Sequence, residues 1–225
     1  MHRISLVTLI SLAVAITNFW IWKIIKIDLF LGLTLVLLSL TMASLTATRL
    51  NKKIFLITLL LLFSTSVKIL VAGFDNNLRE LRPDQQKQLN ERHGYFAISL
   101  GKLFKNKFVL RFYKDIYPYF NVYASNIFNS LSPNLYFFSN HPREREKVEE
   151  FSMYPAIFLI FFLIGLLYFI KSSSYLIVLY LLFALLVTGF IKQTFTLGPV
   201  LLFPLINLLI TLGILKIFRT EKNGL

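Results

Sequence analysis

The chain has no cysteine. That excludes a disulfide framework, a thiolate metal site and a cysteine nucleophile, and it leaves the redox compartment unreadable. Charge is scarce as well: 16% of the 225 residues are charged, against about 25% in a soluble domain. Acidic residues are the scarcest, 11 against 24 basic ones. The three histidines, His2, His93 and His141, have no metal-ligand spacing, and there is no glycine-rich phosphate loop and no HExxH. Neither a metal nor a cofactor is expected.

What fills the chain instead is apolar. Hydrophobic residues make up 56% of it and aromatics 16%. Several apolar runs approach the roughly 20 residues that cross a bilayer. The expected fold is all-α, a polytopic membrane bundle of about six spans. These are about Ile4 to Trp22, Leu29 to Thr48, Ile54 to Phe74, Tyr154 to Ile170, Tyr175 to Ile191 and Phe195 to Phe218. Each must be helical, because backbone polar groups in lipid are satisfied only internally. Met1-His2-Arg3 ahead of an apolar run, with Ala13-Val14-Ala15 behind, has features of a signal peptide. The run continues through Phe19, Trp20 and Trp22, too long and too aromatic, so it reads as an uncleaved span ending in an interfacial Trp pair.

The net charge of +13 is scattered over short loops, which points to membrane topology and away from nucleic acid. With the N-terminus inside, the cytoplasmic side holds Arg3, Arg49, Lys52, Lys53, Lys171, Lys216, Arg219 and Lys222. The opposite short loops hold Lys23, Lys26 and Lys192. This predicts an integral plasma-membrane protein with both termini cytoplasmic. The chain divides into spans 1–3 (1–74), an extracytoplasmic helical insert (75–153), and spans 4–6 with a short tail (154–225).

Within the insert, Leu78 to Arg92 reads as a solvated helix with Pro83 near its start, ended by Gly94. Phe104, Phe108, Phe112, Ile116 and Phe120 recur every four residues, with Lys102, Lys105, Lys107, Arg111 and Lys114 between them. That pattern suits a helix lying on the membrane surface. A helix packed on the bundle would show the same stripe. Pro118 is expected to bend or end it.

Residues able to carry chemistry are few. His141, Arg143 and Arg145 lie just before span 4, and arginine's planar fork suits a phosphate or carboxylate. The alternating Glu144 and Glu146 allow a self-neutralising surface run instead. Tyr136-Phe137-Phe138 reads as an interfacial belt or as a platform for an acyl chain or sugar ring. Lys68, inside span 3 near its far end, either snorkels or meets a lipid phosphate. Asn207 reads as interhelical glue, and Pro199 and Pro204 as a break in span 6. No Asp or Glu lies inside spans 2 to 6, whereas a proton-coupled transporter ordinarily carries an intramembrane acid. Asp28, at the start of span 2, is the single carboxylate of its loop and, with His141, the weak candidate for catalysis.

The aromatic run from Phe104 to Phe120, then Asn129-Ser130-Leu131-Ser132-Pro133-Asn134-Leu135-Tyr136-Phe137-Phe138, then His141-Pro142-Arg143, resembles an outer loop of polytopic glycosyltransferases that use lipid-linked sugars. The resemblance spans about residues 95–215. It implies shared architecture and proximity to a polyprenyl-phosphate carrier. The family's acidic motif in the first outer loop is not matched, since only Asp28 is available there, and His141 stands where the family has Asp before Pro. The expected function is therefore a non-catalytic or degenerate relative with an accessory role in envelope glycan or lipid handling. Its partners would be membrane lipids and another membrane protein. The alternatives are an active polyprenyl-phosphate-sugar glycosyltransferase and a small transporter or scaffold subunit.

Overall fold

The computed structural model describes residues 2–47, 51–81, 83–99, 101, 106–138, 152–172 and 175–222. It is all-helical: among the described residues there is no strand, only an isolated antiparallel bridge between Phe74 and Ile191. The helices are α1 (His2–Ile16), α2 (Phe19–Ile27), α3 (Leu29–Ala47), α4 (Lys52–Gly73), α5 (Pro83–Ser99), α6 (Lys107–Arg111), α7 (Tyr117–Ser130), α8 (Pro133–Phe137), α9 (Phe158–Ser172), α10 (Tyr175–Thr188) and α11 (Phe203–Lys222). Short 3-10 segments, Asn76–Leu78 and Val200–Leu202, precede α5 and α11.

Three helical stretches are long and apolar enough to cross a membrane: Leu29–Thr46, Lys52–Gly73 and Val200–Phe218. A fourth arises if the bent pair α1–α2 counts as one span, and α9 and α10 are shorter apolar helices. The core sits around α11, which packs on α9, α3 and α1. Its first three turns are buried on every side, so apolar side chains all round are what burial requires. Outward-facing residues such as Leu60, Phe63 and Val71 on α4 are exposed in the isolated chain, a surface suited to lipid.

Close approach between α9 and α11 rests on two glycines. A Cβ at Gly165 would stand 1.8 Å from the Leu209 carbonyl oxygen, and one at Gly213 would stand 1.9 Å from that of Phe161. Small residues let backbones touch where no hydrophobic force drives helices together. Asn207 of α11 adds polar glue: its Nδ2 donates to Ser11 Oγ and to Ser39 Oγ at 3.0 and 2.6 Å, tying in α1 and α3.

Three elements differ from the sequence reading. The first run is not one straight helix but breaks at Thr17–Asn18, with a 70° bend. Asn18 caps the new helix, its Oδ1 accepting from the Trp20 and Ile21 amides. The cap turns Trp20 inward, where it is 1% exposed and donates through Nε1 to the Leu197 carbonyl. Only Trp22 of the expected interfacial pair is exposed. The last run is helical only from Val200. Phe195–Pro199 is a loop with Gly198 at φ 70°, and Pro204 falls in the first turn of α11, where its missing N–H would be unpaired anyway. Finally, α5 runs through Gly94 to Ser99, since one glycine costs a helix only about 1 kcal/mol.

Pro118 lies in the first turn of α7, where the helical character changes. A π turn, Phe112–Ile116, joins α6 to α7, with the Tyr117 amide donating to the Phe112 carbonyl five residues back. A proline removes the donor that would continue the α ladder, and the wider turn absorbs the loss.

Candidate functional site

The candidate site is a polar cavity of about 390 Å³ at the end of the bundle that carries the insert. Local backbone chemistry builds it. Past the end of α4, Phe74 and Asp75 extend and pair with the loop after α10. The Asp75 amide donates to the Phe190 carbonyl at 2.8 Å, and the Lys192 amide to the Gly73 carbonyl at 2.9 Å. Phe74 stacks on Phe190 at 6.5 Å, and the Arg79 guanidinium covers Phe74 at 4.8 Å.

Asp75 anchors the cavity wall. It is 5% exposed. Its Oδ1 accepts from the Asn77 backbone and side-chain nitrogens at 3.0 and 2.8 Å, and its Oδ2 from Asn126 Nδ2 at 3.1 Å. Asn126 Nδ2 also donates to the Gly189 carbonyl. Asp75 thus ties the start of the insert to α7 through its carboxylate and to the loop after α10 through its amide. Gln193 donates to Ser125 Oγ across the rim. The remaining lining includes Asn76, Gln85, Asn121, Thr194 and the exposed Lys192. Amides and hydroxyls dominate, with one carboxylate and one cation. Such a surface donates and accepts hydrogen bonds at many points without a net field.

A separate apolar cleft of about 740 Å³ lies between α3, α4 and α10, along the half of α4 farther from the cavity, lined by Met42, Phe55, Leu59, Phe63, Tyr180, Phe183 and Leu186 among others. Tyr123 fastens α7 to the end of α10. Its hydroxyl donates to the Leu186 carbonyl, its ring meets Phe190 at 5.0 Å, and a Cβ at Gly189 would lie 2.3 Å from that ring.

Of the residues singled out in the sequence, Asp28 and Lys68 come together. Lys68 Nζ lies 2.6 and 2.8 Å from the two carboxylate oxygens of Asp28, and 4.9 Å from the centre of the Phe30 ring. Asp28 also caps α3 by accepting from the Leu31 amide at 2.9 Å. Lys68 therefore does not snorkel alone but has Asp28 as its partner. It neutralises a carboxylate, which leaves Asp28 poorly suited to act as a base. The Lys68 hydrogen bond first, and the Leu31 amide second, hold the Asp28 carboxyl below its usual value. A lowered acid contributes stability above the ordinary carboxylate range and loses it as pH falls through the lowered value. We expect Asp28→Asn, which keeps the cap, to destabilise the chain by up to about 1 kcal/mol near neutral pH. That difference should vanish in strong acid. Unfolding midpoints across pH check it, and a gap that persists in acid would mean the charge is not its source.

His141, Arg143 and Arg145 lie outside the described residues, as do Glu144 and Glu146. Tyr136 and Phe137 form neither an interfacial belt nor an open platform. They are buried, and Tyr136 meets Trp20 at 5.8 Å while Phe137 meets Tyr154 at 5.8 Å and Phe162 at 5.3 Å. The Tyr154 amide donates to the Tyr136 carbonyl at 2.7 Å. Short α8 is thus a plug that seats the end of the insert in the bundle. Asp75, Asn121 and Asn126 went unremarked in the sequence. The one available signal was Asp75-Asn76-Asn77 directly after an apolar span, a usual turn composition.

Fold and site together define a chain that is all-helical among the described residues, with helices long and apolar enough to cross a membrane and an amide-rich cavity at one end of them. Comparison of the chain with protein families, curated proteins and solved structures finds no match.

Proposed function

We propose that this is a plasma-membrane protein that holds the hydroxyl-rich head of a lipid-linked glycan, as a non-catalytic relative of lipid-carrier glycosyltransferases with an accessory role in envelope glycan handling. In this reading α1–α2, α3, α4, α9, α10 and α11 are six crossings, both termini are cytoplasmic and residues 75–153 are extracytoplasmic. The polar cavity carries the proposal. Its volume of about 390 Å³ falls in the range of small-ligand sites, about 300–1,000 Å³. Its amides and hydroxyls suit a polyol. The separate apolar cleft farther along α3, α4 and α10 suits a lipid tail. Both oxygens of Asp75 are engaged in holding the wall, and Asp28 is neutralised by Lys68. This favours binding over glycosyl transfer, which needs a carboxylate free to exchange a proton. The carrier's phosphate would be met by Arg143 and Arg145, with another membrane protein performing the chemistry.

Native mass spectrometry of the purified full chain tests this, with a polyprenyl-phosphate hexose and bare polyprenyl phosphate as probes. Wild type is expected to retain the hexose-bearing lipid better, and Asn121→Leu with Thr194→Val to lose about tenfold of that affinity, roughly 1.4 kcal/mol. Equal retention of the two lipids by wild type would refute the reading, as would an unchanged double variant.

A further inference from the structure

The segment from α6 through the π turn to α7 carries two stripes, and only one is packed inside the protein. Tyr113, Tyr117 and Asn121 face α5 across a small groove that Gln85, Gln88 and Leu89 line from the other side. Phe108, Ile116 and Phe120 point away, 77%, 53% and 58% exposed, and Phe112 is also exposed.

The π turn keeps this second stripe straight. In an α-helix four residues overshoot one turn by about 40°, so residues spaced by four drift around the axis. A π turn is wider than four residues, and a four-residue step falls short of it. The step from Phe112 to Ile116 therefore reverses the drift of the steps on either side. Four large apolar side chains share one line that a plain α-helix would have wound away. Lys107 and Arg111 border that line on one side and Lys114 lies on the far side of the helix from it, all three exposed, with Asp115 the only acid among residues 106–131. Asp115 reaches Arg111 at 3.9 Å.

The height of this element is set by its C-terminal half. Tyr123 donates to the Leu186 carbonyl and Asn126 to that of Gly189. Those acceptors lie at the end of α10, beside Gly73 at the end of the 22-residue apolar helix α4. α7 is thus fastened at the ends of the apolar helices, and the stripe begins one turn before that attachment. Apolar side chains at that level, bordered by cations, match the boundary between acyl chains and anionic headgroups.

We propose that residues 107–120 dock on the bilayer surface at the insert end of the bundle. Phe108, Phe112, Ile116 and Phe120 enter the acyl boundary, and Lys107 and Arg111 meet anionic lipid. The missing cysteines make the test clean. A single nitroxide label goes on Ile116→Cys of the full chain, and a reference label on Gln88→Cys of α5. Both proteins are reconstituted in phosphatidylcholine vesicles with and without phosphatidylglycerol. Power-saturation EPR then reads collisions with oxygen and with a water-soluble nickel chelate. The Ile116 label is expected to show an oxygen-to-nickel ratio several-fold above the reference, rising further with phosphatidylglycerol. Replacing Lys107 and Arg111 with Gln should abolish that further rise. A ratio equal to the reference would place the stripe in water and overturn the proposal. Shielding from both reagents would overturn it too, because the face would then be covered by protein, a second copy or another partner. A rise that survives the double replacement would remove the role of the cations.

Discussion

Gly213→Ala is expected to cost about 3 kcal/mol, the upper end for overpacking a tight core, and Gly165→Leu to prevent the bundle from assembling. The reason is what stands opposite each glycine. The added carbon would meet a main-chain oxygen at 1.9 Å in one case and 1.8 Å in the other. Neither contact can be relieved by turning a side chain, so α9 and α11 must move apart. That separation loosens the most extensive helix–helix contact among the described residues. It also disturbs Asn207, whose bonds to Ser11 and Ser39 tie α11 to α1 and α3. The two sites share one crossing and so should not add. Once Gly213→Ala has parted the helices, Gly165→Ala should cost little more. Thermal unfolding of the detergent-purified variants measures both effects. Full additivity would mean that the helices meet independently at the two positions.

The second large effect is expected at Asp75. Its carboxylate receives three hydrogen bonds, two from Asn77 beside it and one from Asn126 of α7. Hydrogen bonds to a charged group contribute about 1.5–3 kcal/mol each, and stranded donors cost more than the mean suggests. Asp75→Ala is therefore expected to lose on the order of 3 kcal/mol, with the cavity collapsing as α7 swings off the loop after α10. Asp75→Asn should fall between. It keeps one acceptor for Asn77 but aims an amide hydrogen at Asn126 Nδ2. Limited proteolysis within α7, read beside the unfolding midpoint, separates local release of the wall from global loss. If Asp75→Ala unfolds no earlier than wild type, the clamp is not what holds the insert to the bundle.

The sequence by itself determined the material of this protein: apolar helices, a polar insert between the third and fourth apolar runs, and no intramembrane acid. Those follow from composition and run length, which need no knowledge of neighbours. Pro83 at the start of α5 and the aromatic stripe from Phe108 to Phe120 were equally legible, because caps and periodicity act within a few residues. The tertiary structure decided everything that depends on who stands opposite. Asn18 reads as one polar residue in an apolar run until its cap turns Trp20 into the core. Phe137 looks interfacial until Phe162 and Tyr154 close over it. Lys68 looks stranded until Asp28, 40 positions away, proves to be its partner. Asp75 gained its role only when Asn126 and the Phe190 carbonyl arrived from distant segments. A hydrogen bond or ion pair needs two groups within about 3 Å, and sequence distance does not say which groups the fold will bring there.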